Sequence, residues 1–164
     1  MAQVTLGGTP VNTVGDLPEK GTQLDFKLTK NDLSEISSDS YLGKKVILNI
    51  FPSVDTGVCA TSIRTFNSKA SSLANTVVLC ISKDLPFAQA RFCGAEGIEN
   101  VETLSDFRHP EFSDASGTRF IDGGFEGLHA RAIILLNEEG KVTYTELVPE
   151  VGQEPDYAAA IAAL

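Results

Sequence analysis

The sequence predicts an α/β domain, a central mixed sheet flanked by helices, with an extra β-hairpin at the N-terminus. Two observations carry most of this. Val46–Phe51 and Thr76–Ile81 are almost continuously apolar, as strands buried on both faces are. Each is followed by a segment with helical punctuation, so strand and helix alternate before a strand–turn–strand unit and a final helix. With 164 residues, 42% of them hydrophobic, the chain fits a single domain, residues 1–164, that folds without a disulfide or metal.

The elements follow in order. Val4–Val11 holds two short β-prone runs about Gly7-Gly8, a hairpin signal. Lys45–Phe51 is the first central strand, ended by Pro52. A helix starts near Gly57, with Ile63, Phe66, Ala70 and Leu73 as its apolar stripe. Thr76–Ile81 is the second central strand. Asp84-Leu85-Pro86 suits the start of a helix with Pro86 in its first turn, and Gly94 or Gly97 stops it. Val101–Leu104 is a short strand. Ala130–Asn137 and Lys141–Leu147 flank the turn Glu138-Glu139-Gly140, and Pro155–Leu164 is an alanine-rich helix. Ser37–Ser40 and Gly123–Gly127 read as surface loops. The order βαβ followed by ββα matches the thioredoxin fold with an added hairpin.

Composition excludes several function classes. A formal net charge of −9 disfavours nucleic acid, whose phosphates carry the same sign. Met1-Ala2-Gln3-Val4-Thr5 lacks the basic and apolar regions of a secretory signal, and the longest apolar runs are strand-length, so no membrane span and a cytoplasmic location are expected. Cys59, Cys80 and Cys93 are odd in number, widely spaced and free of any C-x-x-C pair, which argues against a disulfide framework, a zinc ribbon and a dithiol motif. His109 and His129 have no Cys or carboxylate at ligand spacing, so no metal site is visible; no organic cofactor is expected either.

The chemistry concentrates in Pro52-Ser53-Val54-Asp55-Thr56-Gly57-Val58-Cys59. A buried strand delivers the chain to a turn, and Cys59 arrives in the first turn of the next helix. Unpaired N–H groups and the positive end of the helix dipole stabilise a thiolate there. Thr56, near the cap, has a hydroxyl within reach of the sulfur or of a bound oxygen. Spacing alone leaves open a buried, inert cysteine under an ordinary threonine cap.

Proline, three residues, threonine, two residues and cysteine after a strand resembles the active-site signature of the peroxiredoxins. The wider chain resembles their bacterial thiol peroxidase branch, the atypical two-cysteine peroxiredoxins. The matching segments are Asn49–Cys59, Val77–Ser82, Asp84–Gln89, Arg91–Gly97, Ala130–Ala132 and Glu154–Tyr157. The resemblance implies that Cys59 attacks a hydroperoxide and becomes a sulfenic acid, that Thr56 hydrogen-bonds sulfur and peroxide, that Pro52 shields the pocket and that Arg131 holds the thiolate and polarises the leaving oxygen. It implies that Cys93 resolves the sulfenic acid as a Cys59–Cys93 disulfide, which thioredoxin reduces. It also implies a homodimer and activity on alkyl or lipid hydroperoxides as well as hydrogen peroxide. The family usually carries a small or apolar residue where this chain has His129.

A magnitude shows why threonine and arginine matter. Lowering a thiol pKa from ~8.5 to roughly 6 raises the thiolate fraction at pH 7 about 30-fold. A Brønsted slope of ~0.4–0.5 takes back roughly tenfold in nucleophilicity. The net gain of about threefold is under ~1 kcal/mol, so speed has to come from donors aligned with the breaking O–O bond.

Other features read plainly. Cys80, inside an apolar strand, reads as core packing; His109, before Pro110, as a loop residue; and His129 as a strand-edge histidine or as a modifier of pocket charge. Asp55-Thr56-Gly57 spells the aspartic-protease triplet but precedes a helix, which is wrong for that fold. The glycine cluster lacks the G-x-G-x-x-G context. The leading expectation is a thioredoxin-dependent thiol peroxidase. The alternatives are a redox sensor or relay that passes its disulfide to a partner protein, and a silent interaction module.

Overall fold

A computed structural model describes every residue from Met1 to Leu164. The elements are β1 (Gln3–Leu6), β2 (Thr9–Asn12), β3 (Lys27–Thr29), β4 (Glu35–Ser37), β5 (Lys45–Ile50), α1 (Gly57–Ala70), β6 (Thr76–Ser82), α2 (Pro86–Glu96), β7 (Glu102–Ser105), α3 (Glu111–Ala115), β8 (Ala132–Leu136), β9 (Val142–Leu147) and α4 (Tyr157–Ala162). β1 and β2 form the expected N-terminal hairpin. The other strands make one sheet in the order β4-β3-β7-β6-β5-β8-β9. Its centre, β7-β6-β5, is parallel, and the flanking pairs are antiparallel. This is the thioredoxin-like mixed sheet that the sequence predicted.

The continuous apolar runs are explained by burial on both faces. Val46, Leu48 and Ile50 of β5, with Leu79 and Ile81 of β6, face a cluster closed by Phe26, Tyr41 and Phe112. Ile47, Val78, Cys80, Ile133 and Leu135 face the opposite cluster, which holds the apolar sides of α1, α2 and α4. Ile63, Phe66 and Ala70 of the α1 stripe are buried there, and the Tyr157 ring meets Phe66 edge-on at 5.2 Å, pinning α4 to α1. Burying side chains of this size contributes about 1.5–3 kcal/mol each. A third cluster, Val4, Val11, Phe120, Ala130 and Val151, seats the hairpin on the body of the domain.

Of the two stops expected, Gly97 ends α2: it adopts a left-handed φ of 65°, and its N–H reaches back to the Cys93 carbonyl. Leu85 is the N-cap residue of α2, and the Asp84 carboxylate accepts from the Ser53 hydroxyl (2.7 Å), the Val54 N–H (2.8 Å) and the Ser82 hydroxyl (2.6 Å), tying the loop after β5 to the end of β6. Other boundaries differ from expectation. Ser37 ends β4, and Ser38–Tyr41 is a 3-10 turn rather than an open loop. The terminal helix spans only Tyr157–Ala162, capped by the Asp156 carboxylate on the Ala159 N–H. Gly123–Gly127 is a loop as expected. Gly123, at φ +79°, lies so close to the hairpin that a Cβ would sit 2.5 Å from Val11 Cγ1.

Candidate active site

Cys59 lies in the first turn of α1 and is fully buried. The N–H groups of Gly57, Val58 and Cys59 have no backbone acceptor; the ladder begins with Ala60 N–H donating to the Thr56 carbonyl at 3.0 Å. Three unpaired donors and the positive helix end therefore lie in the turn that carries the sulfur. The turn is held from beneath. Ser62 Oγ donates to the Cys59 carbonyl at 2.8 Å, and Asn49 Nδ2 of β5 donates to Ser62 Oγ at 3.2 Å.

Arg131, just before β8, reaches this turn from the far side. Its Nη2 donates to Cys59 Sγ at 3.3 Å and its Nε to the Val151 carbonyl at 2.9 Å. The side chain is 2% exposed, forms no ion pair, and leaves Nη1 without a partner. A cation in that setting is a strong donor to any developing negative charge.

A pocket of about 140 Å³ opens beside it. Thr56, Gly57 and Val58 form one wall, Arg131, Val151 and Gly152 another, and Leu6 and Phe125 an apolar rim. Thr56 is the N-cap of α1, yet its hydroxyl donates to the Ser53 carbonyl at 3.1 Å rather than capping the helix or touching Cys59. With its proton committed, that oxygen is left as an acceptor. Pro52 is buried behind the end of β5 and does not line the pocket.

Cys93 sits in the third turn of α2, half-buried, its sulfur 3.4 Å from Thr103 Oγ1 of β7. It borders a separate pocket of about 310 Å³, with Asn31 and Thr103 among the lining residues. All three cysteines are free thiols, and Cys59 and Cys93 pack against the same apolar cluster. Cys80 is fully buried in that cluster too; burial pushes its thiol up to about 12, against an opposing Asn49 Nδ2 contact at 3.6 Å.

The comparisons with known proteins converge on one family. The redoxin family model matches residues 15–161. The chain belongs to the redoxin family. Over its full length it is 58% identical to the thiol peroxidase of Mycobacterium tuberculosis strain H37Rv and 54% identical to that of Corynebacterium glutamicum, covering 99% of each. It falls in the thiol peroxidase branch. Among solved structures, a peroxiredoxin-like protein from Aquifex aeolicus superposes with a TM-score of 0.93 at 34% identity, over 99% of this chain and 95% of that one. The thiol peroxidase from Chromobacterium violaceum, at 24% identity and a TM-score of 0.89, shares the fold over 96% of this chain and 92% of its own.

His129 pairs with Arg119 in an isolated β-bridge just ahead of β8, as the strand-edge reading expects, and does not line this redoxin's pocket. It is fully buried, with Nδ1 2.7 Å from Thr118 Oγ1 and Nε2 2.9 Å from Asp106 Oδ2, the latter contact lying off the hydrogen-bond direction. Lys83 Nζ reaches the same Asp106 oxygen at 3.0 Å and Ser113 Oγ at 3.1 Å. This network joins the ends of β6 and β7 to the segment that carries Arg131. Asp106→Ala should cost about 3 kcal/mol by stranding Lys83 and His129 in a buried setting, a fall in Tm of roughly 6–12 °C. Thermal unfolding checks this, and a loss under about 1 kcal/mol would mean that the network contributes little to stability.

Sequence reasoning missed Asp84, Asp106, Glu150 and the Val151 carbonyl as organisers of the site. The acidic residues resemble surface charge in a chain of net charge −9, and a backbone carbonyl leaves no mark in a sequence.

Proposed function

We propose that this protein reduces hydroperoxides to alcohols or water through Cys59, with Cys93 as the resolving thiol and thioredoxin as the reductant. The observation that carries this reading is the Arg131 guanidinium 3.3 Å from a cysteine sulfur at the N-terminus of α1, beside an open pocket. In the proposed reaction the Cys59 thiolate attacks the distal oxygen of ROOH. The O–O bond breaks, RO⁻ leaves and takes a proton to become ROH, and Cys59 is left as a sulfenic acid. Thr56 accepts the hydrogen bond of the attacked O–H group, while Arg131 Nη1 and the free N–H groups stabilise the separating charge. Pro52 keeps water from the rear of the turn.

Cys93 then attacks the Cys59 sulfur, and hydroxide leaves with a proton as water. Cys59 lies in α1 and Cys93 in α2, and two packed helices rarely bring Cβ atoms within the ~4 Å a disulfide needs, so the bridge calls for the first turn of α1 or the end of α2 to unwind. The thioredoxin dithiol returns both cysteines to thiols. We further propose a cytoplasmic homodimer. Three free thiols suit a reducing compartment, and no helix is long and apolar enough to cross a membrane. The exposed rings of Phe87 and Phe107, 66% and 67% accessible, flank a groove of about 290 Å³ that a second copy would cover.

Hydroperoxide consumption with thioredoxin and its reductase tests the reading, together with mass spectrometric mapping of the peroxide-treated protein. Sustained turnover and a Cys59–Cys93 bridge are expected. A single turnover would mark a relay that passes its oxidation to a partner, and a bridge to Cys80 would overturn the role of Cys93. Cys93→Ser should react once at near wild-type rate and then accumulate sulfenic and sulfinic Cys59, visible as mass gains of one and two oxygens.

A further inference from the structure

Arg131 is a buried cation whose orientation rests, apart from the sulfur itself, on one protein acceptor, the Val151 carbonyl. Whatever fixes that carbonyl therefore fixes the guanidinium. Val151 N–H donates to the Thr5 carbonyl at 2.9 Å, and Thr5 N–H donates to the Pro149 carbonyl at 2.8 Å, so the loop after β9 is stitched to β1 on both sides of Glu150. The Glu150 side chain completes the stitch. Its Oε1 accepts from Gly7 N–H at 2.9 Å and from Gly152 N–H at 3.3 Å. Its Oε2 accepts from Gly8 N–H at 3.1 Å and from the Thr5 hydroxyl. One carboxylate thus gathers the tip of the hairpin and the residue beyond Val151.

We propose that Glu150 is a positioning residue for peroxide reduction, acting through Val151 and Arg131, and that the N-terminal hairpin is part of the active site rather than an appendage. The proposal rests on the reading of Cys59 as the attacking thiolate. Its donors, the Thr5 hydroxyl first and then Gly7 and Gly8, hold the Glu150 carboxyl down to about 2, so it stays an acceptor throughout the neutral range. Leu6, between the stitched Thr5 and Gly7, lines the same pocket as Val151 and Gly152.

A double-mutant cycle in single-turnover oxidation of Cys59 tests this. In Glu150→Gln, an amide NH₂ replaces one carboxylate oxygen, the backbone N–H facing it loses its acceptor, and the charge that strengthens the remaining contacts is gone. Oxidation should slow about tenfold, whereas the same change in an Arg131→Met background should slow it no further, because the group it positions is gone. Thr5→Val, which removes one donor only, should slow oxidation about threefold with the same dependence on Arg131, and it serves where Glu150→Gln does not fold. A wild-type rate in both single variants overturns the proposal, as does an equal loss with and without Arg131, which would mark a merely structural role. If the wild-type protein itself fails to react with hydroperoxide, the proposed function fails instead, so the two failures are separable.

Discussion

Cys59→Ser should abolish hydroperoxide consumption. A serine hydroxyl is not ionised near neutral pH, so the helix N-terminus and Arg131 would have no anion to present to the peroxide. No other cysteine can stand in. Burial holds Cys80 as a thiol, pushed up to about 12, and Cys93 lies in the third turn of its helix, away from free N–H groups and from Arg131. The replacement is nearly isosteric in a fully buried site, so the fold should survive and the loss would be chemical. Coupled consumption of reductant checks it, and any rate above the uncatalysed background would remove Cys59 from the reaction.

Arg131→Met should slow Cys59 oxidation by about 10²–10³, the usual loss when one preorganised donor to a developing charge is removed. Stability should respond differently. Arg131 is a buried cation with no carboxylate partner, so its replacement by an apolar side chain of similar length leaves no buried carboxylate unpaired. The Val151 carbonyl loses a donor, at about 1 kcal/mol. A large kinetic loss with a Tm within a few degrees of wild type is therefore expected. Stopped-flow oxidation and thermal unfolding measure the two. A rate within threefold of wild type would show that the 3.3 Å contact does not act in the chemistry.

The central sheet was legible because β5, β6 and β8 are buried on both faces, and double burial writes itself as an unbroken apolar run. β3 and β4 escaped notice for the opposite reason. Each is three residues long, β4 has only exposed or half-exposed positions, and β3 owes its place to pairing with β4 and β7, which no local pattern announces. α3, five residues with Ser and Asp in its interior, carries too little periodicity to read. The position of Cys59 was local information, set by a strand end, Pro52 and a helix start. What surrounds Arg131 was not. The acidic residues that order the site look in sequence like solubilising charge, and only their donors, brought from distant segments, give them another meaning.

The bond between Thr5 and Glu150 closes a span of 145 positions, and that between Arg131 and Cys59 a span of 72. During synthesis Cys59 therefore leaves the ribosome well before Arg131 and Glu150. On the mechanism proposed above, reactivity toward oxidants would wait until the loop after β9 has docked against the N-terminal hairpin.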